Sequence, residues 1–254
     1  AFGECIMLES IELPSHLEEI GGYAFNNCKK ITTLTLPDTV TTIGYRAFYN
    51  CSNLNSVNYP IGITNANGSI FEGCSKLTSI VVPEGVTTIP DNMFSNADNL
   101  RSVTLPTTLK SIGYYSFSNC SQLRFVIIPS NVSSVEGYAF ANCDVLRYIM
   151  FTGSKCSIGY NILNNSTKAI IRCPWSSDAT LYAIKNKIDF KMIDNDSIDY
   201  SDYVVDMSKT NYYTTSAVAH VEKYVPLTLN YSFDESKFSS ISNAKLVITF
   251  TDTL

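Results

Sequence analysis

The chain has 254 residues, of which 45 % are hydrophobic and 16 % charged, so it is long enough for one large domain or two smaller ones. Its net charge of −5 argues against a nucleic-acid partner, because binding to a phosphate backbone requires a basic surface. The sequence contains no apolar run that approaches the roughly 18 residues of a transmembrane helix.

A 23-residue repeat begins in the first residues and continues to about residue 175. Prolines recur at this spacing from Pro14 to Pro129, and phenylalanines recur from Phe2 to Phe140. Cysteines follow the same spacing at Cys5, Cys28, Cys51, Cys74, Cys120 and Cys143, with Ala97 in the remaining position. Several columns with one fixed period predict a solenoid of stacked coils.

One unit reads LTSIVVPEGVTTIPDNMFSNADN, residues 77–99. Its L-x-x-L-x-L pattern predicts a short strand with one buried face, which the following proline ends. A second short extended piece, V-x-x-I, follows. The G-x-x-A-F-x-x-C segment predicts an irregular or 3₁₀ turn whose Phe and Cys point inward. Such a unit gains its stability from its neighbours in the stack.

The periodic cysteines predict an interior column of small apolar side chains. Ala97 in the same column indicates that the position requires size rather than sulfur. Disulfides between adjacent coils stay an open alternative, because neighbours about 4.8 Å apart satisfy the Cα separation of a disulfide. Metal binding is disfavoured, since the column lacks CxxC pairs and partner histidines. Cys156 and Cys173 lie outside the column and form a weak disulfide candidate.

These units resemble the BspA-type leucine-rich repeats, also called the LRR_5 class. The stretches IGGYAFNNCKKITTLTLPDTVTTIGYRAFYNC and IGYYSFSNCSQLRFVIIPSNVSSVEGYAFANC carry the resemblance. The third unit departs from the pattern, with Ala66-Asn67 in place of Ile-Gly, which leaves the geometry of its turn open. The resemblance implies a bacterial cell-surface or secreted protein that adheres to or binds other proteins, without catalysis or a cofactor.

The segment Cys173–Ile193 resembles the ending of bacterial members of this class. Ser176 or Ser177 is expected to N-cap a short helix with Asp178 in its first turn. Leu181, Tyr182, Ile184 and Ile188 recur at near-helical spacing, and a closing strand, DFKMI, follows. We therefore predict a solenoid over residues 1–193 with a C-terminal cap at about 174–193. Because Ala1 aligns with Ala24 in the middle of a unit, we also expect the natural protein to extend upstream.

Residues 194–254 lack the repeat. The segments YVVDM, SAVAHVEKY, VPLTLNYSF and NAKLVITFTD alternate in the manner of β-strands. The predicted architecture is therefore a solenoid with a parallel sheet on one side and a short 3₁₀ or irregular convex side, followed by a small all-β, sandwich-like module. Four or five strands would make an incomplete sandwich with an unpaired edge.

The outward positions of the predicted sheet change character along the solenoid. The first four coils present mainly small polar residues there, whereas the fifth and sixth present Phe125, Ile127, Tyr148 and Met150. A contiguous exposed apolar area usually marks a contact. Three interpretations stay open: a protein ligand binds this face, the chain's own C-terminal segment or cap covers it and the repeats serve as a structural spacer, or the face forms a dimer or crystal contact.

Arg101, Arg124 and Arg147 recur at the entrance of successive strands. Like charges about 4.8 Å apart repel each other, so either an acidic partner binds them or their side chains spread into solvent. A tyrosine series on the turn side is interpreted as packing between coils: Tyr23, Tyr45, Tyr114, Tyr115, Tyr138 and Tyr160.

The sequence does not indicate an enzyme. His16 and His220, the two histidines, fall in different predicted domains, and none of the common nucleotide, hydrolase or metalloprotease motifs occurs. A carbohydrate-binding or hydrolytic protein is a third hypothesis. It would require carboxylates clustered beside an aromatic platform, and the sequence of the turns indicates none. We therefore predict an extracellular protein-binding module that needs no cofactor.

Overall fold

The structure is a computed structural model that describes residues 2–193. It contains two rows of parallel β-strands on different sides of a solenoid with about eight turns. The first row is formed by the L-x-x-L-x-L segments, and the second row by the V-x-x-I segments. Turns connect the rows, and a nine-residue helix lies near the end.

The elements follow one another in a regular alternation between the two rows. In chain order they are β1 (Glu19–Ile20), β2 (Thr33–Leu34), β3 (Thr42–Ile43), β4 (Ser56–Val57), β5 (Asn65–Ala66), β6 (Ser79–Val81), β7 (Thr88–Ile89), β8 (Ser102–Thr104), β9 (Ser111–Ile112), β10 (Phe125–Ile128), β11 (Ser134–Val135), β12 (Tyr148–Phe151), β13 (Ser157–Ile158), β14 (Ile170–Cys173), α1 (Asp178–Asn186) and β15 (Phe190–Met192).

The strand register follows the sequence period. Partners such as Thr42 and Glu19, or Tyr148 and Phe125, lie 23 residues apart along the chain. The register changes near the end, where Ile170 pairs with Tyr148 after only 22 residues. The departure in the third unit does not interrupt the stack, because Ala66 in β5 pairs with Ile43 in β3. The leucine-rich-repeat solenoid predicted for this region is thus confirmed.

A ladder of phenylalanines fills the interior. Neighbouring rings stack with centroids between 5.2 and 5.8 Å apart and planes inclined by no more than 19°. The ladder consists of Phe2, Phe25, Phe48, Phe71, Phe94, Phe117 and Phe140. All but the first are buried, so each interior ring is enclosed by the rings of the coils above and below it.

The cysteine column lies beside this ladder and has a polar role that the sequence did not indicate. The thiols of Cys51, Cys74, Cys120 and Cys143 each lie 3.0–3.2 Å from the carbonyl oxygen of the phenylalanine 26 residues earlier. Ser166, which takes the cysteine position in the last coil, donates to Phe140 in the same way at 2.7 Å. The position therefore accommodates a hydrogen-bond donor as well as a small side chain, which corrects the view that only size matters.

The cysteines do not form the disulfides considered as an alternative. All eight lie within the described residues as thiols, and the column from Cys28 to Cys143 is buried. Outside the column, the thiol of Cys173 lies 3.3 Å from the hydroxyl of Thr180, and that of Cys156 lies 3.7 Å from the carbonyl of Ser157. The weak pairing predicted for Cys156 and Cys173 is therefore wrong.

The connecting turns place residues in the left-handed conformation at two positions in most coils. Asparagine fills one of these positions in many coils because its side chain tolerates positive φ. Neighbouring asparagines also form hydrogen bonds between coils, as Asn119 does with Asn96 at 2.8 Å. Glycine is required elsewhere by close approach: a Cβ on Gly44 would overlap the backbone of Gly22 in the preceding coil.

The cap closes the last coil through a face that agrees only in part with the predicted stripe, of which Tyr182 and Ile188 pack against the core. Ser177 is the N-cap and accepts a hydrogen bond from the backbone of Thr180. The buried side of α1 is formed by Ala179, Thr180 and Ala183. The expected stripe is wrong in part, because Leu181 and Ile184 are about half exposed. Small residues let the helix approach the last coil closely, whereas larger side chains at those positions would hold it away.

The sandwich-like module predicted for residues 194–254 lies outside the described residues and stays a prediction. The boundary between the solenoid and this module stays a prediction as well.

Candidate functional site

Four of the predicted site residues lie together on the outer face of the sheet. In β10, Val126 and Ile128 are buried, while Phe125 and Ile127 are 40 % and 45 % exposed. In β12 the outward residues Tyr148 and Met150 are partly exposed. The alternation arises because successive side chains of a strand point to opposite faces. We call these four residues together with Ile170 and Arg172 the apolar sheet face.

The two aromatic rings of this face stack across neighbouring strands. Phe125 of β10 pairs with Tyr148 of β12 across the sheet. Their ring centroids lie 5.5 Å apart with an interplanar angle of 15°. Ile127 pairs with Met150 beside them. Direct cross-strand neighbours of this kind form a continuous surface, which is larger than a single exposed side chain.

The sequence analysis missed two members of the apolar sheet face, Ile170 and Arg172 in β14. Ile170 pairs with Tyr148, and Arg172 pairs with Met150. The guanidinium carbon of Arg172 lies 5.3 Å from the centroid of the Tyr148 ring, within the range of a cation–π contact. The face therefore extends over three strands and ends at a basic residue.

These two residues were missed because the preceding coil is one residue shorter than the repeat. An extrapolation by 23 residues from Tyr148 reaches Ile171, whose side chain is buried in the core. The available signal was local: the sequence IIRC alternates, and its two buried members, Ile171 and Cys173, fix which residues face outward.

The earlier strands present a different outer surface. Thr33, Ser56, Ser79 and Ser102 are exposed at positions equivalent to that of Phe125. Val81 in β6 is an exception, being apolar and 63 % exposed. Apart from this residue, the outer face is polar before β10 and mainly apolar from β10 to β14.

The predicted arginine row lies at the margin of the same sheet. Arg101, Arg124 and Arg147 are all exposed, and the backbone of Arg147 donates to the carbonyl of Arg124 in the preceding coil. In the part of the chain that the structure describes, none of the three forms an ion pair. Arg172 within the apolar sheet face and the exposed Lys191, which pairs with it, add further positive charge in β14 and β15.

Among residues 2–193, no three His, Cys, Asp or Glu side chains come close enough to hold a metal ion. In the same residues the one helix, α1, is much too short to cross a bilayer. Burial raises the pKa of the thiols of Cys51 and Cys143 to about 12, so both remain protonated and unreactive at neutral pH.

The repeat pattern, the two strand rows and the register agree with a known family. The family model for the BspA type leucine rich repeat region matches residues 1–124 and 87–219, with six copies. The chain belongs to the BspA-type leucine-rich-repeat family. A search of curated proteins finds no match.

The chain is also similar to several solved structures. The crystal structure of the T. pallidum leucine-rich-repeat protein is 27 % identical over 71 % of this chain and 83 % of that chain, with a TM-score of 0.59. A leucine-rich-repeat protein of Bacteroides ovatus is 23 % identical over 70 % of this chain and 64 % of that one, with a TM-score of 0.42. The pneumococcal vaccine antigen PcpA is 17 % identical over 70 % of this chain and 60 % of that one, with a TM-score of 0.44.

Membership in the BspA-type family accounts for the solenoid and for its general role as a repeat protein. Leucine-rich-repeat solenoids are generally non-catalytic, and their stacked coils create extended surfaces for binding. The family match assigns neither a partner nor a binding surface to this chain.

Proposed function

We propose that this BspA-type protein binds a protein ligand through the apolar sheet face and acts as a non-catalytic adhesion or binding module outside the cell. The observation that carries the proposal is the change of the outer sheet surface from polar to apolar at Phe125, in strands whose backbone register is otherwise unchanged. The core does not require this change, because the outward residues do not fill the interior.

The composition of the face fits a protein partner. Aromatic residues, Met and Arg are enriched at protein–protein interfaces, and Phe125, Tyr148, Met150 and Arg172 are all of these types. The stacked rings form a preorganised centre, since each ring restricts the motion of the other. Arg101, Arg124 and Arg147 at one margin of the sheet supply positive charge, so the partner carries acidic residues opposite that margin.

The decisive variant replaces Phe125 and Tyr148 with Ser. Both side chains point away from the core, so the solenoid is expected to keep its melting temperature within a few degrees. Binding to a panel of purified extracellular matrix proteins is measured by surface plasmon resonance. For any matrix protein that binds, the double variant should weaken the affinity about 100-fold, as expected for the loss of two interface anchors.

Val81→Ser is the matched control, because it also removes an exposed apolar side chain from the outer sheet surface but lies outside the apolar sheet face. It should leave binding unchanged. Equal binding by the wild type and a folded Phe125→Ser, Tyr148→Ser variant would reject the proposed surface.

The arginine row has a separate test. Replacing Arg124 and Arg147 with Ala should mainly slow association, and the effect should shrink as salt is raised, because charges at an interface margin act by steering. An unchanged association rate at low salt would remove the acidic residues from the description of the partner.

The structural-spacer hypothesis predicts a different outcome for the same face. Hydroxyl-radical footprinting of the full chain measures the solvent access of Tyr148 and Met150. Strong oxidation of both supports an open binding face. Protection comparable to that of the buried Met93 would favour a face covered within the chain.

A further inference from the structure

A second surface with a different chemistry lies on the turn side of the solenoid. The rings of Tyr115 and Tyr138 stack with centroids 5.1 Å apart and planes inclined by only 4°. Tyr160 stands at right angles to Tyr138, with centroids 5.2 Å apart. The sequence interpretation as packing between coils is confirmed for these contacts. It did not indicate that Tyr114, Tyr115 and Tyr160 are also exposed, Tyr160 to 59 %.

The position of Tyr160 follows from a glycine in the preceding coil. Tyr114, Gly137 and Tyr160 occupy the same position in three successive coils. A Cβ on Gly137 would lie 3.1 Å from Cε1 of Tyr160, so the ring rests on this glycine. One side of the ring contacts the backbone of the solenoid, and the exposed fraction shows that another side faces solvent.

Hydrogen-bonding groups surround these rings. The carboxylate of Glu136 lies beside the hydroxyl of Tyr114, and its negative charge raises the pKa of that tyrosine. The amide of Asn161 donates to the hydroxyl of Tyr138 over 3.3 Å. Asp91 accepts a hydrogen bond from the backbone of Tyr114 at 2.8 Å. The carboxylates of Glu136 and Asp91 thus both lie close to Tyr114, which the sequence analysis did not anticipate.

We call Tyr114, Tyr115, Tyr138 and Tyr160 the platform. A cleft begins next to it. Its volume is about 430 Å³, and it lies between the last coil and the cap, with Asn161 as one of its lining residues. The rest of its lining combines polar and charged side chains, such as Asn164, Lys168, Lys187 and Asp189, with apolar ones, such as Leu163, Ile170 and Ile188. Asn161 therefore joins the tyrosine rings to a cleft that contains hydrogen-bond donors and acceptors.

This arrangement matches the chemistry of a pyranose sugar. A pyranose ring with equatorial substituents has a face of C–H groups that packs on an aromatic ring, and a rim of hydroxyls that both donate and accept hydrogen bonds. The lysines in the cleft are offset by Asp189 and by Glu136 on the platform, so the site favours a neutral ligand. The cleft has room for further sugar units beyond the one on the platform.

We propose that Tyr160 and its neighbouring tyrosines, together with the adjoining cleft, bind a neutral oligosaccharide of pyranose sugars. One sugar ring lies against Tyr160, and the next units extend past Asn161 into the cleft. The cleft shares Ile170 with the apolar sheet face, whereas Tyr160 and the neighbouring tyrosines lie on the turn side, outside that face.

Cellotetraose and chitotetraose are suitable probes, because both are neutral chains of β-linked, equatorially substituted pyranoses. Saturation-transfer difference NMR on the full chain should show transfer from the protein to the ring C–H protons of at least one probe. Tyr160→Ala should weaken binding of that probe about tenfold, which is the effect of losing one aromatic contact. Tyr160→Phe retains the ring that carries the contact and should bind within about threefold of the wild type.

Tyr23→Ala is the matched control. Tyr23 is an exposed tyrosine in an equivalent turn near the other end of the solenoid, where it packs edge-on against Tyr45. It should leave binding of the sugar unchanged, as should Phe125→Ser on the sheet. Absence of transfer to both probes, or equal transfer with a folded Tyr160→Ala variant, would overturn the proposal. Neither result would affect the assignment of the sheet face.

Discussion

The thiol of Cys120 donates a hydrogen bond to the carbonyl oxygen of Phe94, 26 residues earlier, with 3.2 Å between sulfur and oxygen. This contact joins neighbouring coils through the interior and recurs along the solenoid. A side-chain donor therefore links each coil to the one before it, in addition to the backbone ladders. Ala97, which has no donor, is the exception in the middle of the column.

Cys120→Ala should lower the free energy of unfolding by about 1–2 kcal/mol, because it removes buried atoms and leaves the carbonyl with one donor fewer. Cys120→Ser should cost less than the alanine variant, since Ser166 makes the equivalent bond to Phe140. Urea unfolding followed by circular dichroism measures both. A serine variant less stable than the alanine variant would show that the position responds to apolar size alone. Ala97→Cys is the complementary variant and should raise the stability.

The phenylalanine ladder predicts that the stability lost on replacing a phenylalanine with alanine depends strongly on its position in the stack. Phe94 is fully buried between the rings of Phe71 and Phe117, so Phe94→Ala should cost about 3–5 kcal/mol. Because each coil contacts only its neighbours, the cavity should also weaken the coupling between the two halves of the solenoid. Hydrogen exchange followed by mass spectrometry should show faster exchange concentrated in the coils around residue 94.

Phe2→Ala is the control for this variant. Phe2 stacks on Phe25 alone and is 43 % exposed, so its loss should cost less than half as much as the loss of Phe94. Equal effects of the two substitutions would contradict the account of the ladder as a continuous interior stack.

The buried thiols predict that the protein loses stability at alkaline pH. Burial raises the pKa of Cys51 and Cys143 from 9.0 to about 12. Between these values the unfolded chain releases the proton and the folded chain retains it. The stabilising contribution is therefore fully present below pH 9 and is lost as the pH rises towards 12. The loss amounts to at most about 1.4 kcal/mol per pH unit for each thiol.

The measurement is the urea midpoint between pH 8.5 and pH 11. The wild type should show a steep decline, and Cys143→Ala should show a shallower one because one titrating group has been removed. Ser166→Ala removes a side chain of the same column that carries no thiol, so it should leave the slope unchanged. Parallel slopes in all three proteins would contradict the assignment to buried thiols.

Much of the fold was predictable from the sequence because the repeat determines its own environment. A residue such as Val126 is packed mainly by the same position in the coils above and below it. Once the period is known, its burial and the exposure of its neighbour Phe125 follow from the alternation of a strand. The four residues Phe125, Ile127, Tyr148 and Met150 were placed correctly for this reason.

The predictions failed where the period stops or where two columns meet. The helix Asp178–Asn186 has no identical neighbour, so its fit against the last coil decided that Ala179 and Ala183 are buried while Leu181 is not. The regular spacing of the cysteines was visible in the sequence. The hydrogen bond from each thiol was not, because it depends on the turn that brings a phenylalanine carbonyl within reach.

The sequence by itself determined the stacked solenoid, its interior columns and the strand pair where the outer sheet surface becomes apolar, because a strict period imposes the same contacts on every coil. Only the tertiary structure decided that a 22-residue coil adds Ile170 and Arg172 to that surface. It also decided that Tyr160 lies over Gly137 beside a polar cleft. These features depend on distances between residues that share no periodic position, and such distances are set by packing.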